Sequence, residues 1–382
     1  MIPELLEDLT QLNMFGYITF RMAMAGLTAF VLAIWWGGIT IRWLKSKKVV
    51  EDLTATDLKP RPDIAAHKAK EGTPTMGGSF LVGSFLASTL LWARLDNIHV
   101  VLALALVCGL AAVGFVDDWR KLTIPKSKGI STASKMVGLS IVTLAVLSAW
   151  LYYVHTTDRM SMLSLYFPVL KGWEVPLAAW GVGGLVLFVC LEYVWIVGTA
   201  NAANITDGLD GLCVGCMLIA GLALSVFCYV AGRFDWAAYL NLTHVPDASE
   251  MAILGGALCG ACMGFLWFNS HPAQVFMGDS GSLPIGGLLA WMALVSKQEL
   301  VLPLIGLVFY AEIGSSFAQM CYFKATGGRR LFTCAPIHHG LERHGGIFKE
   351  GAEPWHESKI VVRAWIVSAV CAMAGLGLLK VR

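Results

Sequence analysis

Apolar runs of about 18 to 24 residues recur from one end of the chain to the other, separated by short polar segments. Ten windows follow this pattern: 18–41, 76–94, 98–116, 136–154, 177–199, 211–231, 251–268, 281–296, 300–323 and 360–379. A helix needs about 20 such residues to cross hydrocarbon roughly 30 Å thick. The pattern predicts an all-α integral membrane protein with about ten transmembrane helices in a single polytopic domain, 1–382. Pro284 and Pro303 fall inside two windows, where neighbouring helices can satisfy the backbone groups they free. Gly256, Gly260 and Gly264 make a small-residue stripe suited to close helix packing.

Composition agrees. The chain is 57% hydrophobic and 14% charged, against about 25% charged in soluble domains. A formal charge of +2 without a basic-aromatic tract gives no nucleic-acid footprint. Glu4, Glu7 and Asp8 are the opposite of a basic leader, so the run from Met22 to Ile41 is expected to remain as a helix. Most of the ten cysteines, including the Cys213/Cys216 and Cys259/Cys262 pairs, fall in apolar runs without His or acidic neighbours. They read as small packing residues rather than zinc ligands.

Loops after odd-numbered windows carry twenty Lys and Arg, and loops after even-numbered windows five. The positive-inside rule then puts the odd loops in the cytoplasm and both termini outside. Five polar motifs follow windows 1, 3, 5, 7 and 9: Lys70 to Gly78, Asp117 to Lys121, Asn201 to Gly211, Phe276 to Ser282, and Pro336 to His339. By parity all five share the cytoplasmic face, which scattered structural polarity would have no reason to do.

Their residue types suit phosphoryl transfer. Mg²⁺ prefers one or two carboxylates with water and phosphate, and Asp117, Asp118, Asp207, Asp210 and Asp279 offer a surplus. Lys70, Lys121, Lys128 and Lys135 can neutralise phosphates, and the Gly-rich turns admit anions to backbone N–H groups. Each motif also has a plainer reading. An Asp-Asp pair is often a solvated helix end, and Gly278-Asp279-Ser280-Gly281 can simply cap a helix. Adjacent His338 and His339 point apart on a helix, which favours separate roles. Glu192 and Glu312 are expected to hydrogen-bond between helices, and Arg21 and Arg363 to snorkel at span ends.

Thr73-Pro-Thr-Met-Gly-Gly78, Asp117-Asp-x-x-Lys121, Asn201-Ala-x-Asn-x-Thr-Asp-Gly-Leu-Asp-Gly-Leu212, Phe276-Met-Gly-Asp-x-Gly-Ser-Leu283 and Pro336-Ile-His-His339 together resemble the phospho-N-acetylmuramoyl-pentapeptide transferase family. The likeness runs in order along nearly the whole chain. It implies a bacterial cytoplasmic-membrane enzyme that requires Mg²⁺ and acts as a homodimer. Its reaction would move phospho-MurNAc-pentapeptide from UDP-MurNAc-pentapeptide to undecaprenyl phosphate, giving lipid I and UMP. It further implies Asp279 as the principal magnesium ligand, and Asp117 and Asp118 near the lipid phosphate, with Asp117 positioning or deprotonating the attacking oxygen. Lys70, Thr75, Asn204, Asp207 and Asn269 would serve the nucleotide-sugar. Gly208, Leu209, Asp210 and Phe276 would form the uridine pocket, and His338 and His339 would shape the substrate site.

Two features depart from that family's pattern. Gly340 stands where a third histidine is usual, and the segment from Gly345 to Lys359, with Trp355 and His356, is longer. Loop extension is the simpler account of the latter, with His344, Trp355 or His356 as a substitute imidazole or ring the alternative. Gly340→His is expected to leave activity intact. Rival readings are a sister transferase using UDP-GlcNAc, an intramembrane prenyltransferase and a polytopic transporter. Lys121 stands where a prenyltransferase motif wants a third Asp, and a transporter should carry its polar groups near mid-membrane.

Overall fold

The computed structural model describes residues 12–46, 72–124, 127, 129–168, 173–349, 351 and 353–381, together with Pro3 and Glu7. Lys70 and Lys128 lie outside the described residues. Helices stand at each of the ten predicted windows: α1 (Ile18–Ser46), α2 (Gly78–Trp92), α3 (Ile98–Thr123), α4 (Thr132–Thr156), α5 (Gly181–Thr206) and α6 (Leu212–Ala231). After the short α7 (Phe234–Leu240) come α8 (Met251–Asn269), α9 (Asp279–Val295), α10 (Leu302–Ile305), α11 (Leu307–Ala325), α12 (Ile337–His344) and α13 (Glu357–Val381).

Seven of these helical segments are long and apolar enough to cross a membrane; α2 and α9 are apolar but shorter. The window 300–323 is not one helix. Gly306 separates α10 from α11, and α11 carries Glu312, Ser315, Ser316, Gln319 and Lys324 among its apolar residues. An antiparallel hairpin, Ser164–Tyr166 with Glu174–Pro176, adds a little sheet to the loop between α4 and α5.

Outward faces are apolar, as Leu27, Val31 and Trp35 on α1 and Val186 and Val194 on α5 illustrate. That is the surface a lipid solvent demands and water penalises. At the centre, α9 is buried along its whole length and packs against α3, α5, α6 and α2. A helix apolar all round is a core helix, and α9 has no polar face to show.

The glycine stripe of α8 packs as expected. A Cβ at Gly260 would run into the Gly26 carbonyl oxygen, and one at Gly256 into that of Met22, so α8 and α1 meet backbone to backbone. The Cys213 thiol donates to the Ala203 carbonyl oxygen at 3.1 Å, which is a packing role. Arg21 departs from expectation. It is buried, donates to the Glu250 carboxylate through both Nη1 and Nη2, and reaches the Trp92 carbonyl oxygen at 3.4 Å. Three helices converge there, so the guanidinium is enclosed by protein instead of snorkelling. Arg363 lies over the Trp355 ring, 4.4 Å from its centroid.

Candidate active site

One end of the bundle gathers all five polar motifs. The Phe276 amide donates to the Pro74 carbonyl oxygen at 2.9 Å, while Gly77 and Gly78 donate to the carbonyls of Phe276 and Met277 at 2.8 Å. This ladder sets the first motif, with Thr75 buried in it, against the fourth. It leads into Gly278, whose φ of 74° and ψ of −178° suit glycine alone and turn the chain into α9 at Asp279.

The carboxylates meet at that turn. Asp117 and Asp118, in the last turns of α3, and Asp279, the first residue of α9, bring ligand oxygens within 4.8 Å of one another, all buried. Gly114 makes the approach possible, because a Cβ there would strike the Asp279 carbonyl. Asp118 is spent on structure: its Oδ1 accepts from the Asp279 amide at 3.2 Å and its Oδ2 from the Ser280 amide at 2.9 Å. Asp117 is held by the Ile130 amide at 2.7 Å and by Lys121 Nζ at 2.6 Å. Asp279 Oδ2 pairs with Lys135 at 2.6 Å and Lys121 at 3.5 Å, and its Oδ1 accepts from Asn204. Asn204 also reaches Ser282 Oγ at 2.9 Å, and Asp207 accepts from the Gly278 amide at 3.2 Å.

Among the described residues, two lysine ammoniums therefore stand beside three buried carboxylates. The donor set is all oxygen, as a hard divalent cation prefers, and the lysines balance charge that such a cation would share. The residues fit Mg²⁺.

A second polar cluster escaped the sequence reading. Asp210 Oδ2 accepts from the Ala273 amide and pairs with His271 Nδ1, both at 3.1 Å, and the Glu357 carboxylate accepts from the Asp210 amide. Its oxygens and imidazole nitrogen also lie within 4.8 Å of one another, yet the mixed set suits Mg²⁺ less well. Glu357, the first residue of α13, belongs to no motif, and only its place at a helix start marked it. Asn269 donates to the Val275 carbonyl at 2.9 Å and accepts from the Gly211 amide at 3.0 Å, so it ties the second cluster's loops together. Leu209 is buried beneath them, and Phe276 is half-buried beside the ladder.

His338 is buried with Nδ1 3.0 Å from Glu312 Oε2, and its ring lies against Gly208, where a Cβ would collide with Nε2. Glu312 thus bridges to α12, as its intramembrane carboxylate led us to expect; Glu192 is buried beside Lys297 and Glu299. The His339 ring lies against that of His338, centroids 4.3 Å apart, where the two were expected to point apart; it pairs with Glu342 Oε2 at 3.2 Å, and burial holds its pKa below the usual imidazole value. The two rings therefore have separate partners. His356 packs edge-on against His271, with ring centroids 5.3 Å apart, and so faces the second cluster. A Cβ at Gly340 would lie 2.9 Å from Thr333 Oγ1, which donates to the Gly346 carbonyl at 2.7 Å. Gly340→His must shift that hydroxyl, so a variant expected to remain active should do so with a less stable loop.

Residues 100–297 match the family described as glycosyl transferase family 4. The phospho-N-acetylmuramoyl-pentapeptide-transferase of Neisseria meningitidis serogroup C (strain 053442) is 40% identical over 374 residues, which cover 98% of this chain and 97% of that one. The protein of the same name from Neisseria gonorrhoeae (strain NCCP11945) matches at the same identity and coverage. With its polar motifs gathered at one end of a membrane helix bundle and this likeness along nearly its whole length, the chain belongs to the phospho-N-acetylmuramoyl-pentapeptide-transferase family.

Proposed function

We infer that this chain transfers phospho-MurNAc-pentapeptide from UDP-MurNAc-pentapeptide to undecaprenyl phosphate, forming lipid I and UMP, with Mg²⁺ as cofactor. The observation that carries the reading is the buried trio Asp117, Asp118 and Asp279 beside Lys121 and Lys135, in a chain whose relatives bear that transferase's name. The site lies on the cytoplasmic face of a bacterial inner membrane, in a chain of ten spans with both termini outside. The Lys and Arg asymmetry and the ten helical segments support this arrangement. The working unit is a homodimer.

Asp279 would hold the metal, with the Asp117 carboxylate close enough to share it. Bound Mg²⁺ supplies Lewis-acid neutralisation of the pyrophosphate. Asp117, fixed by Ile130 and Lys121, takes the proton from or orients the attacking oxygen of the lipid phosphate. That oxygen forms a bond to the β-phosphorus as the bond to the bridging oxygen breaks, and UMP departs with the electron pair. Lys121 and Lys135 balance the charge on the phosphates, and Asn204 keeps Asp279 oriented. Thr75, Asp207 and Lys70 serve the nucleotide-sugar, Lys128 adds positive charge, and Gly208, Leu209, Asp210 and Phe276 line the uridine side.

The test is UMP release from UDP-MurNAc-pentapeptide and a polyprenyl phosphate, with Mg²⁺ and with chelator. Release that needs both substrates and the metal supports the reading; release from UDP-GlcNAc instead moves the chain to the sister activity. Exchange of labelled UMP into UDP-MurNAc-pentapeptide without lipid overturns the one-step route in favour of a phospho-sugar on an Asp.

A further inference from the structure

One turn along α11 from Glu312, the partner of His338, begins a pocket of about 600 Å³, between the second half of α11 and the chain that leads into and through α12. Its volume is in the range of about 300–1,000 Å³ that small-ligand sites occupy. Phe323 and Phe332 give it apolar walls, and Lys324, Arg330 and Arg343 bring three positive charges. Its shape is built rather than incidental: the Gln319 side-chain carbonyl, on α11, accepts from the Leu331 and Phe332 amides at 3.0 and 2.9 Å.

The three cations have no carboxylate of their own among the described residues. That sets them apart from Arg21, Arg94 and Arg233, which pair with Glu250, Asp96 and Asp235, and from the lysines of the active site. Arg343 follows His339 by one turn of α12, and His338 on the same helix rests against Gly208. One short helix thus carries both a cation of the pocket and the ring that meets Gly208 of the third polar motif.

We propose that this pocket receives the carboxylate end of the substrate's peptide, with Arg330 and Arg343 pairing to the carboxylate and Lys324 adding to the field. The inference rests on the transferase reading above. In a muramoyl-peptide the sugar's acyl group takes the amino end, so the far end carries a free carboxylate. Arginine's planar fork matches a carboxylate two bonds at a time, and the phenyl walls suit the peptide's carbon skeleton.

The experiment measures KM and kcat for UDP-MurNAc-pentapeptide with a free C-terminal carboxylate and for the same substrate as its C-terminal carboxamide. With the unaltered protein the amide should raise KM about tenfold, the weight of a charge-assisted pair. R330A/R343A should raise KM for the acid by a similar factor and lose the preference between acid and amide. R330K/R343K, which keeps the charge, should retain part of that preference, separating the charge from damage to the fold. Equal KM for acid and amide in the unaltered protein overturns the proposal, as does an R330A/R343A protein that still prefers the acid. If the unaltered protein releases UMP from neither substrate while a polyprenyl phosphate and Mg²⁺ are present, the transferase reading falls, and this inference with it.

Discussion

Asp118 caps the helix that Asp279 begins: its two carboxylate oxygens accept from the backbone amides of Asp279 and Ser280 at 3.2 and 2.9 Å. A buried carboxylate bonded to two amides is worth about 1–3 kcal/mol, and its removal leaves those donors without partners. Asp118→Ala should therefore lower both thermal stability and turnover. Asp117→Ala, which leaves α9 capped, should reduce turnover with a smaller shift in melting temperature. Equal melting temperatures for the two variants in detergent would contradict this division.

Among the described residues Lys135 is the nearest cation to Asp279, 2.6 Å from Oδ2, and it also approaches Asn204 Oδ1 at 3.5 Å. Lys135→Met removes a charge that balances the phosphates, so kcat should fall by about 10²-fold, the scale of one preorganised electrostatic contact. Lys135→Arg should recover part of the loss. A Lys135→Met enzyme with unaltered kcat would remove this lysine from the chemistry.

The Arg21–Glu250 pair sits at the far end of α2 from the carboxylates, since Arg21 also bonds the carbonyl of Trp92, the last residue of that helix. Fifteen residues of helix separate the two ends by about 22 Å. Arg21→Ala leaves a buried Glu250 unpaired and should cost about 3–5 kcal/mol of stability. The folded fraction should keep its KM for the nucleotide-sugar, which initial-rate measurements on a thermally matched sample would check.

Burial lowers the His339 pKa below the ordinary imidazole value of about 6.5, against the opposing pull of Glu342. As pH falls through that ordinary value, the unfolded chain takes up a proton that folded His339 still refuses. Stability is complete above this window and declines as pH drops through it toward the folded pKa. His339→Gln, which cannot titrate, should flatten the slope of melting temperature against pH as pH falls below about 6.5. An unchanged slope would assign the dependence to other groups.

Periodicity was enough to find the helices because an apolar run long enough to span must satisfy its own backbone by hydrogen bonding; it could not foresee the break at Gly306 inside the window 300–323, which depends on local backbone geometry. Asp279, Lys135 and Asn204 were readable as site residues by chemical type and motif, and the structure brings them into contact. The split within Asp117-Asp118 was not readable. Adjacent carboxylates look alike in a sequence, and only the arrival of α9 gives one of them two amides to hold. Arg21 and Glu250 pair across 229 positions, a relation no local pattern carries. Glu357 had no motif around it, and its partner Asp210 comes from the other side of the chain's fold.

The complete enclosure of α9 has an electrostatic consequence. Every peptide dipole in its seventeen residues points the same way, and protein rather than water lies along its flanks. A helix end in such surroundings carries about half a positive charge with little screening, worth up to about 2 kcal/mol to a neighbouring anion. That end is Asp279. The Asp118 carboxylate, bonded to the Asp279 and Ser280 amides, already answers that field, so part of what lets three buried carboxylates share one end of the bundle is stored in the direction of a backbone and is beyond the reach of side-chain substitution.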